Sequence, residues 1–254
     1  MHILPISTGL LNAGDNLAAI LTQSFAFQDN DILVISSKAI ATIEGAAIDL
    51  TTLTVSDEAK TWAKECGKSP AFCQGVLEET KRLNGEIVSS CPLALLTELQ
   101  PSGLSEGSLL VPNAGLDESN VAKGFAIGWP HDPLASGIRM KSAIEKSSGK
   151  NVAVITSDSN CRPRRIGVTA FALTSAGIDP LLSKIGMKDL FGKPMTMTVE
   201  AVADQLATAA NSVMGNAGES IPAAVIRDHG YTLSDFAGWV PGIAKEEDLF
   251  RGTV

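Results

Sequence analysis

Hydrophobic positions along this chain follow two different periods. Leu17, Ile20 and Leu21 recur at helical spacing and predict a helix from Asp15 to Phe25. Asp31-Ile-Leu-Val-Ile-Ser36 instead carries four consecutive apolar residues, the pattern of a strand buried on both faces, and it ends in Ser36-Ser37-Lys38. Ser56-Asp57-Glu58 opens a helix toward Cys66, and Ser69-Pro70 opens another to about Leu83, with Gly67 between them. Pro70 suits the first helical position, where a missing N–H costs nothing. Asp132-Pro133 repeats that signal for a helix to Ser148, closed by Gly149. Asn151-Val-Ala-Val-Ile-Thr156 is a second buried strand, and it too ends in polar residues, Ser157-Asp158-Ser159-Asn160. Gly167 to Ile178 and Pro194 to Ala201 show partial alternation and predict strands. Val202 to Met214 is Ala-rich and precedes Gly215, which predicts a helix, and Ala223 to Arg227 is a short buried strand. Strands and helices do not alternate regularly, so the expected class is α+β with a large mixed sheet and flanking helices. No repeat or linker divides residues 1–254, which are read as one domain.

Composition narrows the function. A chain of 254 residues can bury roughly 70–75% of its unfolded surface and needs no disulfide or metal staple. Hydrophobic residues at 44% and charged residues at 19% exclude disorder and collagen-like repeats. A net charge of −8 leaves no broad electrostatic footprint for nucleic acid or an anionic membrane, so any phosphate handling is local. No apolar run approaches the ~18 residues that span a bilayer, and the N-terminus lacks the basic start of a secretory signal. A cytoplasmic protein is expected. Cys66, Cys73, Cys91 and Cys161 show neither C-x-x-C nor zinc spacing and are read as reduced thiols, mostly core filler. His2, His131 and His229 are read as surface or loop residues.

Three polar segments can carry chemistry. Pro112-Asn-Ala-Gly-Leu-Asp-Glu-Ser-Asn120 follows an apolar run, and Asp117 is free to hold a hard cation, although taken alone the segment fits a capping turn better. Thr156 to Arg165 sets Asp158 and hydroxyls beside Arg162, Arg164 and Arg165, offering oxygen ligands for Mg²⁺ or Mn²⁺ and guanidinium groups for phosphate or carboxylate oxygens; a solvated turn is the other reading. Met214-Gly-Asn-Ala-Gly-Glu-Ser220 can wrap a phosphate or base with backbone N–H groups, or simply end a helix. Gly67-Lys68-Ser69 is not a P-loop, because Trp62 stands where the first glycine belongs, and neither G-x-G-x-x-G nor G-x-S-x-G occurs.

Together these segments resemble the coenzyme F420-0:γ-glutamyl ligase family. The resemblance rests on Gly9-Leu10, Ser36-Ser37-Lys38 with Glu44-Gly45, Phe72 to Glu79, Asn113 to Asn120, Asp158 to Arg162, Arg165-Ile-Gly167, Lys188 to Pro194, Val202-Ala-Asp204 and Met214-Gly215, in register along nearly the whole chain. It implies a homodimeric α+β ligase that joins L-glutamate to a carboxylate of a deazaflavin coenzyme precursor. GTP would be the co-substrate, Mg²⁺ or Mn²⁺ the metal, with K⁺ admitted as a further ion. An acyl phosphate would be the intermediate, since a carboxylate is a poor electrophile until phosphorylated. By the resemblance, Asp117 and Asp158 match metal-binding aspartates and Ser159 stands where a second-metal Thr is usual. Gly9, Leu10, Ser37, Lys38 and Asn120 match nucleotide-contacting positions, and Met214, Gly215 and Asn216 form part of the nucleotide loop. Arg162 and Arg165 are assigned, on charge, to the transferred phosphate or the acceptor's carboxylates.

Two departures bear on activity. Thr42 replaces a family Lys, a loss that Lys38 can cover if residues 38–42 are helical. Asn216 stands where some relatives carry a metal-ligating Glu. The alternatives are the same chemistry on a reduced folate, which is a pterin acceptor, and a nucleotide-binding relative without turnover.

Overall fold

The computed structural model describes residues 1–252. The chain opens with β1 (His2–Ile6), α1 (Leu17–Ser24), β2 (Ile32–Ser36) and α2 (Ser37–Ile43), the last following β2 without a break. After β3 (Ile48–Asp49) come α3 (Asp57–Cys66), α4 (Pro70–Arg82), β4 (Glu86–Cys91), β5 (Ala94–Leu99) and β6 (Leu109–Pro112). Then follow β7 (Phe125–Ala126), α5 (Pro133–Ser148), β8 (Ala153–Cys161), β9 (Val168–Ala176), β10 (Leu182–Ser183), β11 (Val199–Glu200), α6 (Val202–Met214), β12 (Ala223–Arg227) and β13 (Ala237–Trp239).

The main sheet has six strands in the order β1-β12-β2-β8-β9-β13. It is mixed: β2 and β8 run parallel, with Ser36 opposite Ser157, and the other neighbours are antiparallel. β12, β2 and the first half of β8 are buried on both faces, which accounts for their unbroken apolar runs. On one face, Leu17 and Leu21 of α1 and Met140 and Ile144 of α5 pack against Leu33, Ile35, Val154 and Val225. On the other, Ala203, Leu206, Ala207 and Ala210 of α6 pack against Val34, Ile155, Ala224 and Ile226. A second, three-stranded sheet (β4-β5-β6) packs with α3 and α4 and meets the main sheet through Trp129, Phe171 and Trp239.

Local sequence signals explain the helix ends. Asn16, Ser56, Ser69 and Asp132 each accept a backbone N–H from the first turn of α1, α3, α4 and α5. Gly67 and Gly149 close α3 and α5 in the left-handed conformation, with φ 72° and 70°.

The structure corrects several expectations. Of the strand predicted over 194–201, only Val199–Glu200 forms, paired with β10. The polar residues 157–161 lie within β8 rather than beyond it, because β9 supplies a partner to Cys161. Two of the four cysteines, Cys66 and Cys73, are buried, whereas Cys91 and Cys161 are exposed. The three-stranded sheet gave no clear period.

Gly137 of α5 sits against the strands that lead to the polar end of β8: a Cβ there would lie 2.9 Å from Thr174 Oγ1 and 3.2 Å from Thr156 Oγ1. Gly137→Ala gains about 1 kcal/mol of helix propensity but forces two stiff, buried threonines apart, which costs about 1–3 kcal/mol. The expected result is a lower urea midpoint, opposite to the usual effect of Gly→Ala in a helix.

Candidate active site

A cavity of about 260 Å³ opens at the ends of β2 and β8. The parallel pairing makes it, since both strands deliver their C-terminal polar residues to one edge. Ser36, Lys38, Ala39 and Thr42 form one wall, Ser157, Asp158 and Ser159 a second, and Asp117, Ser119 and Asn120 a third. Residues 8–11 and the loop from Met214 to Pro222 complete it.

Asp117 is aimed by an unusual turn. Asn113, Ala114 and Gly115 are consecutively left-handed, with φ 54°, 53° and 77°, a costly conformation that persists where surroundings over-determine it. Here β5 holds it: the Asn113 side chain accepts the Leu95 N–H at 2.9 Å, and the Ala114 N–H meets Thr97 Oγ1 at 3.1 Å. Backbone bonds in both directions between Asp117 and Ile127 fix the next step. The segment is therefore more than a capping turn.

The Asp117 carboxylate accepts Lys38 Nζ at 2.5 Å and the Ser119 hydroxyl. Lys38 also donates to Ser119 Oγ at 3.0 Å. Burial alone would push the Asp117 carboxyl up, but the hydrogen bonds from Lys38 and Ser119 and the ammonium charge outweigh it and hold it at about 2. Residues 37–43 are helical, so Lys38 and Thr42 share the cavity face, and the Thr42 hydroxyl turns back to the Lys38 carbonyl at 2.8 Å. The ammonium at the cavity wall comes from position 38.

Asp158 is held differently. A bulge between Thr156 and Ser157 leaves Leu173 as the extra residue on β9, which re-aims the strand beyond it. Asp158, opposite Phe171, accepts Trp129 Nε1 at 2.6 Å on one oxygen and the Ser159 N–H at 2.8 Å on the other. Burial pushes its carboxyl up to about 6, against the pull of those two N–H groups and of Lys38.

Most residues expected at a site converge here: Gly9, Leu10, Lys38, Asp117, Asn120, Asp158, Ser159, Met214, Gly215 and Asn216 all line the cavity. Asn120 has a visible structural task, its side-chain amide donating to the Ala217 carbonyl at 2.9 Å and joining two walls. Ser37 does not reach the cavity; it is buried at the start of α2. Arg162 and Arg165 also stand outside it, because β8 continues past Asp158 and places both, exposed, in the turn to β9, with Arg162 Nε bonded to Thr169 Oγ1 at 3.1 Å. Sequence reasoning missed Ser119, Glu219 and Trp129. Ser119 carried an Asx-turn signal two residues after Asp117, Glu219 lay in a loop noted for its glycines, and Trp129 carried no signal.

The raised Asp158 carboxyl makes a stability prediction. Its folded value, about 6, lies above the usual 3.8, so the folded state binds this proton more tightly. Ionising it therefore costs stability as pH rises from about 4 to about 6, and the cost stays constant above. In the presence of a chelator, the stability of Asp158→Asn relative to the parent should rise by about 1–3 kcal/mol between pH 4 and pH 7.5, as read by urea denaturation.

Comparison with known proteins agrees with this geometry. A family model described as F420-0:Gamma-glutamyl ligase matches residues 5–228, a span that holds every wall of the cavity. The Coenzyme F420:L-glutamate ligase of Methanosarcina mazei is 39% identical over 222 residues, 87% of this chain and 83% of its own length. That of Methanocaldococcus jannaschii is 39% identical over 253 residues, 99% of this chain and 97% of its own. That of Archaeoglobus fulgidus is 38% identical over 218 residues, covering 86% and 83%. With a mixed-sheet fold, a polar cavity at the strand ends and full-length similarity in agreement, the chain is a ligase and belongs to the F420-0:gamma-glutamyl ligase family.

Proposed function

We propose that this ligase joins L-glutamate to the carboxylate of coenzyme F420-0, with GTP as phosphoryl donor and Mg²⁺ or Mn²⁺ as the metal. The convergence of Lys38, Asp117, Asp158 and the 214–222 loop on one cavity carries the reading, and the relatives' names supply the substrates. The donors suit a hard cation: two carboxylates and the Ser159 hydroxyl are all oxygen. Among the described residues no third acid, His or Cys joins them in a metal cluster, which fits a cation that completes its shell with water and phosphate oxygens, as Mg²⁺ does. When bound, such an ion neutralises charge on the transferred phosphoryl group.

In this scheme an oxygen of the acceptor carboxylate attacks the γ-phosphorus and the bond to GDP breaks. The glutamate amine then attacks the acyl carbon, loses a proton and releases phosphate. Lys38 would face the phosphates, and Asp117 and Asp158 would hold the metal. The ammonium at position 38 supports turnover despite Thr42. For Arg162 and Arg165 the assignment stands on charge alone, and turnover by Arg162→Ala reads it; unchanged turnover removes that residue. A homodimer is part of the proposal, supported by apolar side chains before β9 and between β10 and β11: Ile166, Leu190, Phe191 and Met197 are 86% exposed or more, a load that isolated chains rarely carry uncovered.

Mass spectrometry after incubation with GTP, Mn²⁺, L-glutamate and F420-0 should find a glutamyl adduct and GDP. An adduct on tetrahydrofolate alone would move the acceptor to the folates, and none on either, with GTP still bound, would refute F420-0 as the acceptor and favour a different acceptor or a relative without turnover. Lys38→Met should lower kcat/KM for GTP by about 100-fold. Leu190→Asp with Phe191→Asp should turn a dimer into a monomer in sedimentation velocity.

A further inference from the structure

Trp129 is absent from the substrate-binding scheme above, yet its indole N–H is aimed at the centre of it. We propose that Trp129 is a positioning residue for the metal: it holds the Asp158 carboxylate in the orientation that a divalent cation needs. The inference rests on the proposed metal dependence and assigns a role to a residue outside the ligand set.

The geometry leaves the indole little freedom. Trp129 is buried, packed beside Phe171 and Trp239 with ring centroids 6.5 and 6.1 Å away. A Cβ on Gly115 would lie 2.6 Å from Nε1, so only a glycine lets the left-handed turn run this close beside the ring edge. That turn also sets Asp117, two residues on. One rigid contact thus relates the two carboxylates to each other. Arg82 grips Glu79 through Nε and a terminal nitrogen and donates to the His131 carbonyl at 2.9 Å, fixing the backbone two residues after Trp129.

The chemistry of the donor matters as much. An indole N–H donates only, carries no charge and does not ligate metal. It therefore fixes Asp158 without neutralising it, whereas Lys38 both fixes and neutralises Asp117. A lysine or arginine in place of Trp129 would add a second positive charge to that of Lys38 beside the incoming cation, and a histidine could capture it. Each Asp158 oxygen accepts one N–H in this arrangement and keeps a lone pair for a metal. By contrast, Trp239 donates to the Ser102 backbone carbonyl, a purely structural use of the same group. Groups that orient a metal ligand typically change metal affinity by 10–100-fold when removed.

The test is Mn²⁺ binding to the whole protein, read from the electron paramagnetic resonance signal of the free ion with and without GTP. Two changes delete the donor: Trp129→Phe, and site-specific replacement by β-(3-benzothienyl)alanine, which keeps the bicyclic shape and so separates the hydrogen bond from packing. Both should weaken Mn²⁺ binding by about 10-fold or more and raise the Mn²⁺ concentration for half-maximal turnover by a similar factor, with KM for glutamate unchanged. 5-Fluorotryptophan at position 129, which retains the N–H, should restore parental affinity. Parental Mn²⁺ affinity in the benzothienyl protein would overturn the role of Trp129 while leaving the metal reading intact. A parent protein that binds no Mn²⁺ in either condition would overturn both.

Discussion

The parallel pairing of β2 with β8 decides where chemistry occurs in this protein. Every other pairing in the main sheet is antiparallel, so adjacent strands there end at opposite edges. Only between β2 and β8 do two C-terminal ends meet, and both carry polar residues. The consequence propagates outward. α2 must start at once after β2, which brings Lys38 to the rim, and β8 must continue beyond its parallel partner, which brings Asp158 into the wall. Two loops from distant parts of the chain, 117–120 and 214–222, then close over the opening and are joined by Asn120.

Electrostatics divides that wall into two unlike halves. Asp117 is tied to an ammonium and held ionised, while Asp158 is buried with neutral donors and resists ionisation. Two carboxylates of one residue type are thereby pushed to opposite sides of the usual carboxylate value. In a chain of net charge −8, this local arrangement rather than overall charge sets the electrostatics of the cavity.

Much of the frame could be read from the sequence, because its signals are local. Ser56, Ser69, Asp132, Gly67 and Gly149 end or start helices by satisfying backbone groups within a few residues, and the apolar runs of β2, β8 and β12 record burial on both faces. The site was legible only where its residues fall in contiguous polar segments, as with Asp117 and Asp158. The β8 extension depends on β9 as a partner, so the polar run looked like a loop, and the arginines beyond it looked like neighbours of Asp158. Trp129 meets Asp158 across 29 positions through a turn whose strain is supported by β5; nothing in a single segment encodes that. The weak alternation of 194–201 gave the opposite error, a strand predicted where only two residues find a partner.

The alanines of α6 have a thermodynamic consequence for ligand capture. Ala203, Ala207 and Ala210 are fully buried against the sheet, and alanine has no rotamers to freeze. The helix that ends at Met214 therefore presents a surface whose ordering is complete once the chain has folded. A ligand entering the cavity meets one wall already in place, and the entropic penalty of enclosure falls on the few residues between Gly215 and Pro222. Affinity and dwell time can thus be tuned by the composition of that short loop without disturbing the sheet on which the rest of the enzyme is built.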